Sequence, residues 1–140
     1  MASKLRNVLI ADDHAIIRQG LKQIIADSGD FIVAAEAATG LAALQSLREQ
    51  RFDLLLLDIS LPDRNGIEVL RQARREFPAL PVLMLSMHRE DQYALRALRA
   101  GASGYLNKQS APAELIDAMR IIISGRKYIT PTLAQELALH

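Results

Sequence analysis

The chain has 140 residues, the size of one domain with one hydrophobic core, and a composition that is half hydrophobic and 24% charged excludes disorder as its main state. Seventeen Lys and Arg against sixteen Asp and Glu leave a formal net charge of +1, which gives no basic footprint for gripping nucleic acid by its phosphates. The absence of cysteine excludes disulfides, a thiolate nucleophile and Cys-based zinc; no apolar run approaches the roughly 18 residues that span a bilayer, and the first residues do not read as a signal peptide, so a cytoplasmic protein without membrane association is expected.

In chain order, residues 7–11 predict a first strand that ends at Asp12 and Asp13. Ile17, Leu21, Ile24 and Ile25 recur at helical spacing and predict a first helix. Residues 31–35 predict a second strand, after which Thr39 can cap a helix beginning at Gly40 and carrying Leu41, Leu44 and Leu47. Residues 53–57 predict a third strand leading into Asp58, and Asn65-Gly66 and Pro78 bracket a third helix. A fourth strand over residues 82–86 ends in Ser86, with Gly101 as the stop of its helix. Residues 103–106 predict a fifth strand followed by Lys108; Ser110 and Pro112 mark the next helix start. Residues 131–140, with Leu133, Leu137 and Leu139, predict a sixth helix.

The apolar runs at residues 54–57 and 82–85 do not alternate, as central parallel strands covered on both faces require. Five strand-helix units joined by right-handed crossovers, with no G-x-G-x-x-G fingerprint, predict a doubly wound α/β fold of flavodoxin-like strand order 2-1-3-4-5. The crevice of such a sheet lies outside the carboxyl ends of its strands, where Asp12, Asp13, Asp58, Ser86 and Lys108 collect. Three converging carboxylates cannot all stay ionised without a cation, and ligands that are all oxygen suit Mg²⁺. With Lys108 as a point charge for a phosphoryl oxygen, the chemistry these residues suggest is phosphoryl transfer.

The string Ala-Asp-Asp-His at 11–14, Asp58-Ile59-Ser60-Leu61-Pro62 with Gly66 beyond it, Leu85-Ser86-Met87, and Gly104-Tyr105-Leu106-Asn107-Lys108 resembles the receiver domain of two-component response regulators, with its CheY-like variant of the flavodoxin-like fold. Arg18-Gln19-Gly20-Leu21 and the tail from Gly125 to Pro131 are similar to the NarL/FixJ branch, whose members usually continue into a LuxR-type helix-turn-helix domain. The resemblance implies Asp58 as phosphoryl acceptor from a sensor histidine kinase, with Asp12, Asp13, Asp58 and the Ser60 backbone carbonyl holding Mg²⁺. It also implies Lys108 as the phosphate-pairing lysine and Ser86 with Tyr105 as a switch pair, Tyr105 turning inward on phosphorylation. Gln109 stands where the family usually has proline, which leaves the geometry of that peptide open. The expected organisation is a receiver domain over 1–125 and, over 126–140, the start of a linker helix to an effector domain. DNA would be bound only through that effector, and homodimerisation would follow phosphorylation.

Three other features carry plainer readings. His14 reads as a residue that shapes the first helix start, since Mg²⁺ prefers oxygen; His88 reads as a solvated loop residue near the crevice, and Arg71, Arg74 and Arg75 as a solvated face. Two alternatives stay open: a Mg²⁺-dependent phosphohydrolase, against which the Asp12-Asp13-His14 order and a nucleophile on the third strand speak, and a receiver that only binds protein. The lesser alternative for the last segment is a C-terminal helix that packs back onto its own domain.

Overall fold

The computed structural model describes residues 5–87 and 92–139. Five parallel strands, β1 (Arg6–Ala11), β2 (Phe31–Ala37), β3 (Leu54–Asp58), β4 (Val82–Ser86) and β5 (Gly104–Asn107), form one sheet in the order β2-β1-β3-β4-β5. Between and after them run α1 (Ala15–Ser28), α2 (Gly40–Glu49), α3 (Gly66–Glu76), α4 (Gln92–Arg99), α5 (Ala111–Ile123) and α6 (Pro131–Leu139). The expected strand order and helix alternation are both present.

Alternate residues of each strand face opposite sides, so the sheet has two cores. Val8, Ile10, Leu54, Leu56, Leu83, Leu85 and Leu106 meet Leu21 and Ile25 of α1 and Leu115, Met119 and Ile122 of α5. Leu9, Leu55, Leu57, Met84 and Tyr105 meet α2, α3, α4 and Leu133 of α6 on the other face. All five residues of β3 and of β4 are buried, which is why their sequence shows no alternation.

The helix ends carry the local chemistry that sets the loops. Thr39 accepts a hydrogen bond from the Ala42 amide at 3.0 Å, as its position predicts. Asn65 accepts from the Ile67 amide at 2.7 Å and starts α3. Gly101 closes α4 at φ +110°, a left-handed conformation that glycine adopts without a Cβ clash. Ser110 is the N-cap residue of α5, as expected, although its side chain makes no capping bond, because a 3-10 turn over Lys108–Ser110 runs straight into the helix. Asn107 caps that 3-10 turn, accepting from the Gln109 amide at 2.8 Å. No cis peptide occurs among the described residues, so Lys108 and Gln109 are joined in trans. The sixth helix does not stand off the domain: Leu133 is 2% exposed within the second core, with Ile129 and Leu137 packed beside it.

Candidate functional site

Parallel strands point all their carboxyl ends to one edge, and the last residues of β1, β3, β4 and β5 open there. Asp58 is the final residue of β3, Asp12 follows β1, Ser86 ends β4 and Lys108 follows β5. All four side chains are buried, Asp12 and Asp58 at 0% and 1% exposure. Asp13 and His14 lie at the outer rim.

The two buried aspartates are bound in the same way. Each has one oxygen accepting an amide two residues downstream, Asp12 from His14 at 2.9 Å and Asp58 from Ser60 at 3.1 Å. The other oxygen of each faces Lys108 Nζ, at 2.7 Å for Asp12 and 3.1 Å for Asp58. Burial pushes the Asp58 carboxyl above its ordinary range; the Ser60 amide and Lys108 oppose the shift, and the neighbouring Asp12 charge adds to it. One ligand atom each from Asp12, Asp13, His14 and Asp58 lies within 4.8 Å of the others. Three carboxylates against one ammonium leave a formal surplus of two negative charges, which a divalent cation balances, and the carboxylate oxygens suit a hard ion. The donor set therefore fits Mg²⁺.

His14 is more engaged than its sequence position suggests. It occupies the N-cap position of α1 without a side-chain cap bond, and its Nδ1 lies 3.1 Å from an oxygen of Asp12 and 3.1 Å from one of Asp13. Ser86 sits one register step beyond Leu85, the residue paired with Asp58, and opposite Asn107 on β5. Tyr105 points into the core rather than toward solvent, at 1% exposure. His88 lies outside the described residues. Arg71 and Arg75 are exposed as expected, whereas Arg74 donates to the carbonyls of Pro78 and Leu80 and so ties down the end of α3.

Two residues near the site hold contacts that the sequence did not reveal. Arg18 donates to the backbone carbonyl of Asp12 and, with Lys22, pairs with Glu36 on β2, fixing the β1–α1 turn. Asp63, in the β3–α3 loop, accepts from the Gly40 and Leu41 amides at 2.8 and 2.9 Å. The turn-forming string Asp63-Arg64-Asn65-Gly66 signals a loop, but nothing local points to partners 22 and 23 residues away.

Comparison with known proteins agrees with this geometry. The sequence profile of the response regulator receiver domain matches residues 8–120. The chain is 36% identical over 132 residues to response regulator GacA of Pseudomonas viridiflava, covering 94% of this chain and 62% of that protein. It is 37% identical over 133 residues to response regulator UvrY of Escherichia coli K12, covering 95% of this chain and 61% of that protein. It thus spans about three fifths of the length of these curated relatives. Among solved structures, a LuxR-family two-component response regulator from Aurantimonas sp. SI85-9A1 superposes with a TM-score of 0.88 at 38% identity, covering 97% of each chain. The isolated receiver domain of RcsB from Salmonella enterica serovar Typhimurium, solved in the presence of the phosphomimetic BeF3-, superposes with a TM-score of 0.85 at 26% identity, covering 94% of this chain and 98% of that one. No helix among the described residues is long and apolar enough to cross a membrane.

Proposed function

This chain belongs to the response regulator receiver family, a family of two-component signalling domains, and from that premise we propose that Asp58 is its phosphoryl acceptor. The observation that carries the reading is the shared grip of Lys108 on Asp12 and Asp58, which holds a buried carboxylate oxygen beside a fixed cation. Asp58 attacks the phosphorus of a phosphohistidine on a sensor histidine kinase. The new O–P bond forms as the P–N bond breaks, and the leaving imidazole nitrogen keeps the electron pair and takes up a proton. Lys108 then has a phosphoryl oxygen to pair with in place of the Asp58 oxygen. Asp12, Asp13, Asp58 and the Ser60 carbonyl would hold Mg²⁺, which supplies charge neutralisation to the phosphoryl oxygens. Chemistry by the chain is limited to accepting the group and slowly losing it to water.

Ser86 donates its hydroxyl to the phosphoryl group, a charge-assisted bond worth about 1.5–3 kcal/mol. Because Tyr105 is already inside, phosphorylation holds the ring where it lies instead of drawing it in. The family match over residues 8–120 and the curated relatives' greater length support reading 1–125 as the receiver and 126–140, whose α6 packs on the second core, as the start of a linker helix. Output is then transcriptional control through a DNA-binding domain, with a second copy as partner after phosphorylation, in the cytoplasm. Mass spectrometry after acetyl phosphate treatment tests the core of this: one phosphoryl group gained in Mg²⁺, none in EDTA and none by Asp58→Asn. Full-rate labelling of Asp58→Asn would refute the acceptor assignment.

A further inference from the structure

The loop that joins Asp58 to α3 is fixed at both ends within itself. Ser60 bridges Asn65 across it, the Gly66 amide donates to the Ile59 carbonyl at 2.8 Å, and Asn65 caps α3. Its middle is held from outside. Asp63 places one carboxylate oxygen on the Gly40 amide at 2.8 Å and the other on the Leu41 amide at 2.9 Å, across 23 and 22 residues of sequence. These are the first two amides of α2, which point out of the helix with no partner in it, and a carboxylate there also meets the positive end of the helix dipole. The third amide, of Ala42, is taken by Thr39, so the loop does not merely lean on α2; it completes the helix end. The approach is close by construction: a Cβ on Gly40 would come within 2.7 Å of Val69 and 2.8 Å of Arg64, leaving room for glycine alone.

We infer that Asp63 is a positioning residue for the metal site: its two-amide clamp on α2 sets the height of the β3–α3 loop and with it the Ser60 carbonyl. This rests on the reading above that Ser60 contributes that carbonyl to Mg²⁺. The clamp and the site share one short segment, since Asp63 lies three residues from Ser60, and Ser60 is itself tied by its amide to Asp58. Releasing Asp63 frees the loop to move away from Asp12 and Asp13 without touching any proposed ligand.

The experiment is a Mg²⁺ titration of the whole 140-residue chain followed by the amide NMR signals of Asp13, Asp58 and Ser60. For Asp63→Ala the Kd for Mg²⁺ is expected to rise by about tenfold or more, the usual scale for losing a group that orients a metal ligand. Asp63→Asn keeps one acceptor oxygen and is expected to fall between this variant and the parent, and it decides the matter if the alanine variant does not fold. Thr39→Ala weakens the same helix end without touching the loop, so its Kd should stay within about twofold of the parent. A rise of equal size in Asp63→Ala and Thr39→Ala, or no rise in Asp63→Ala, would overturn the inference. A parent chain whose three signals ignore Mg²⁺ would instead overturn the metal reading itself, before any variant is compared.

Discussion

Lys108→Met keeps the buried stem and removes the ammonium that contacts Asp12 at 2.7 Å and Asp58 at 3.1 Å. At an effective dielectric of about 20 each contact is worth roughly 5–6 kcal/mol before desolvation. Withdrawing three charged groups from water takes back much of that, and removing one partner of a buried pair generally costs about 3–5 kcal/mol. Here the loss falls toward the upper end, because two carboxylates at 0% and 1% exposure are left facing each other. We expect urea unfolding in EDTA, followed by far-UV circular dichroism, to lose about 5 kcal/mol, a large share of a typical domain's 5–15 kcal/mol. Mg²⁺ at a hundredfold excess over its Kd returns about 2.7 kcal/mol to any chain that binds it. At one fixed Mg²⁺ concentration the variant should gain more than the parent, since no ammonium competes for the same two oxygens and its Kd is lower. A loss below about 1 kcal/mol in EDTA, or a larger Mg²⁺ gain in the parent, would refute the electrostatic argument.

Asp58→Asn should stabilise the metal-free chain. Burial raises the Asp58 carboxyl above the ordinary carboxylate range, so ionisation opposes folding; the variant's advantage should be absent at low pH and open as pH rises from that ordinary range through the raised folded value. Equal unfolding midpoints of variant and parent at neutral pH in EDTA would contradict this. Gly66→Ala would put a Cβ 2.4 Å from the Asp58 carbonyl and 2.7 Å from the Ile59 Cα, both backbone, and should cost about 2–3 kcal/mol and slow acetyl phosphate labelling. Gly20→Ala, with nothing within 4 Å, should be neutral or stabilise α1 by up to about 1 kcal/mol, and thermal melts of the pair check both. In α6, Leu133→Ala should cost about 2–4 kcal/mol and Leu139→Ala, 80% exposed, less than about 0.5 kcal/mol; equal melting temperatures would mean the helix does not dock.

The sheet was readable because its determinants are local. The apolar runs of β3 and β4 stand out in the sequence, and the polar residue closing each strand follows from where the run stops. Thr39 and Asn65 were readable for the same reason, since each caps within three residues of itself. Contacts between segments were not. Asp63 reaches α2 from the next loop, Arg18 reaches back to the Asp12 carbonyl, and only the fold makes them neighbours. Ser110 and Pro112 marked the start of α5 correctly, but the 3-10 turn that runs into the helix leaves the Ser110 side chain without a capping bond, a matter of backbone geometry that composition does not carry. Tyr105 was placed on the correct strand, but its depth depends on α4 and α6 covering that face, and those helices lie on the other side of the sheet from α1 and α5.

The Lys108 contacts also set an order for biosynthesis. A ribosome releases this chain from the N-terminus, and β1 lies between β2 and β3, so the first three strands can pair as soon as the third emerges. Asp12 and Asp58 are then side by side, while the cation that pairs them is still 50 positions away in the sequence. At about 5–20 residues per second that interval lasts roughly 3–10 s. During it the edge of β4 has no β5 beside it, and the acidic mouth can be quieted only by a proton or an ion from solution. Closure of the sheet therefore waits for β5, and the charge of the acidic pair is met from within the chain only when Lys108 follows that strand.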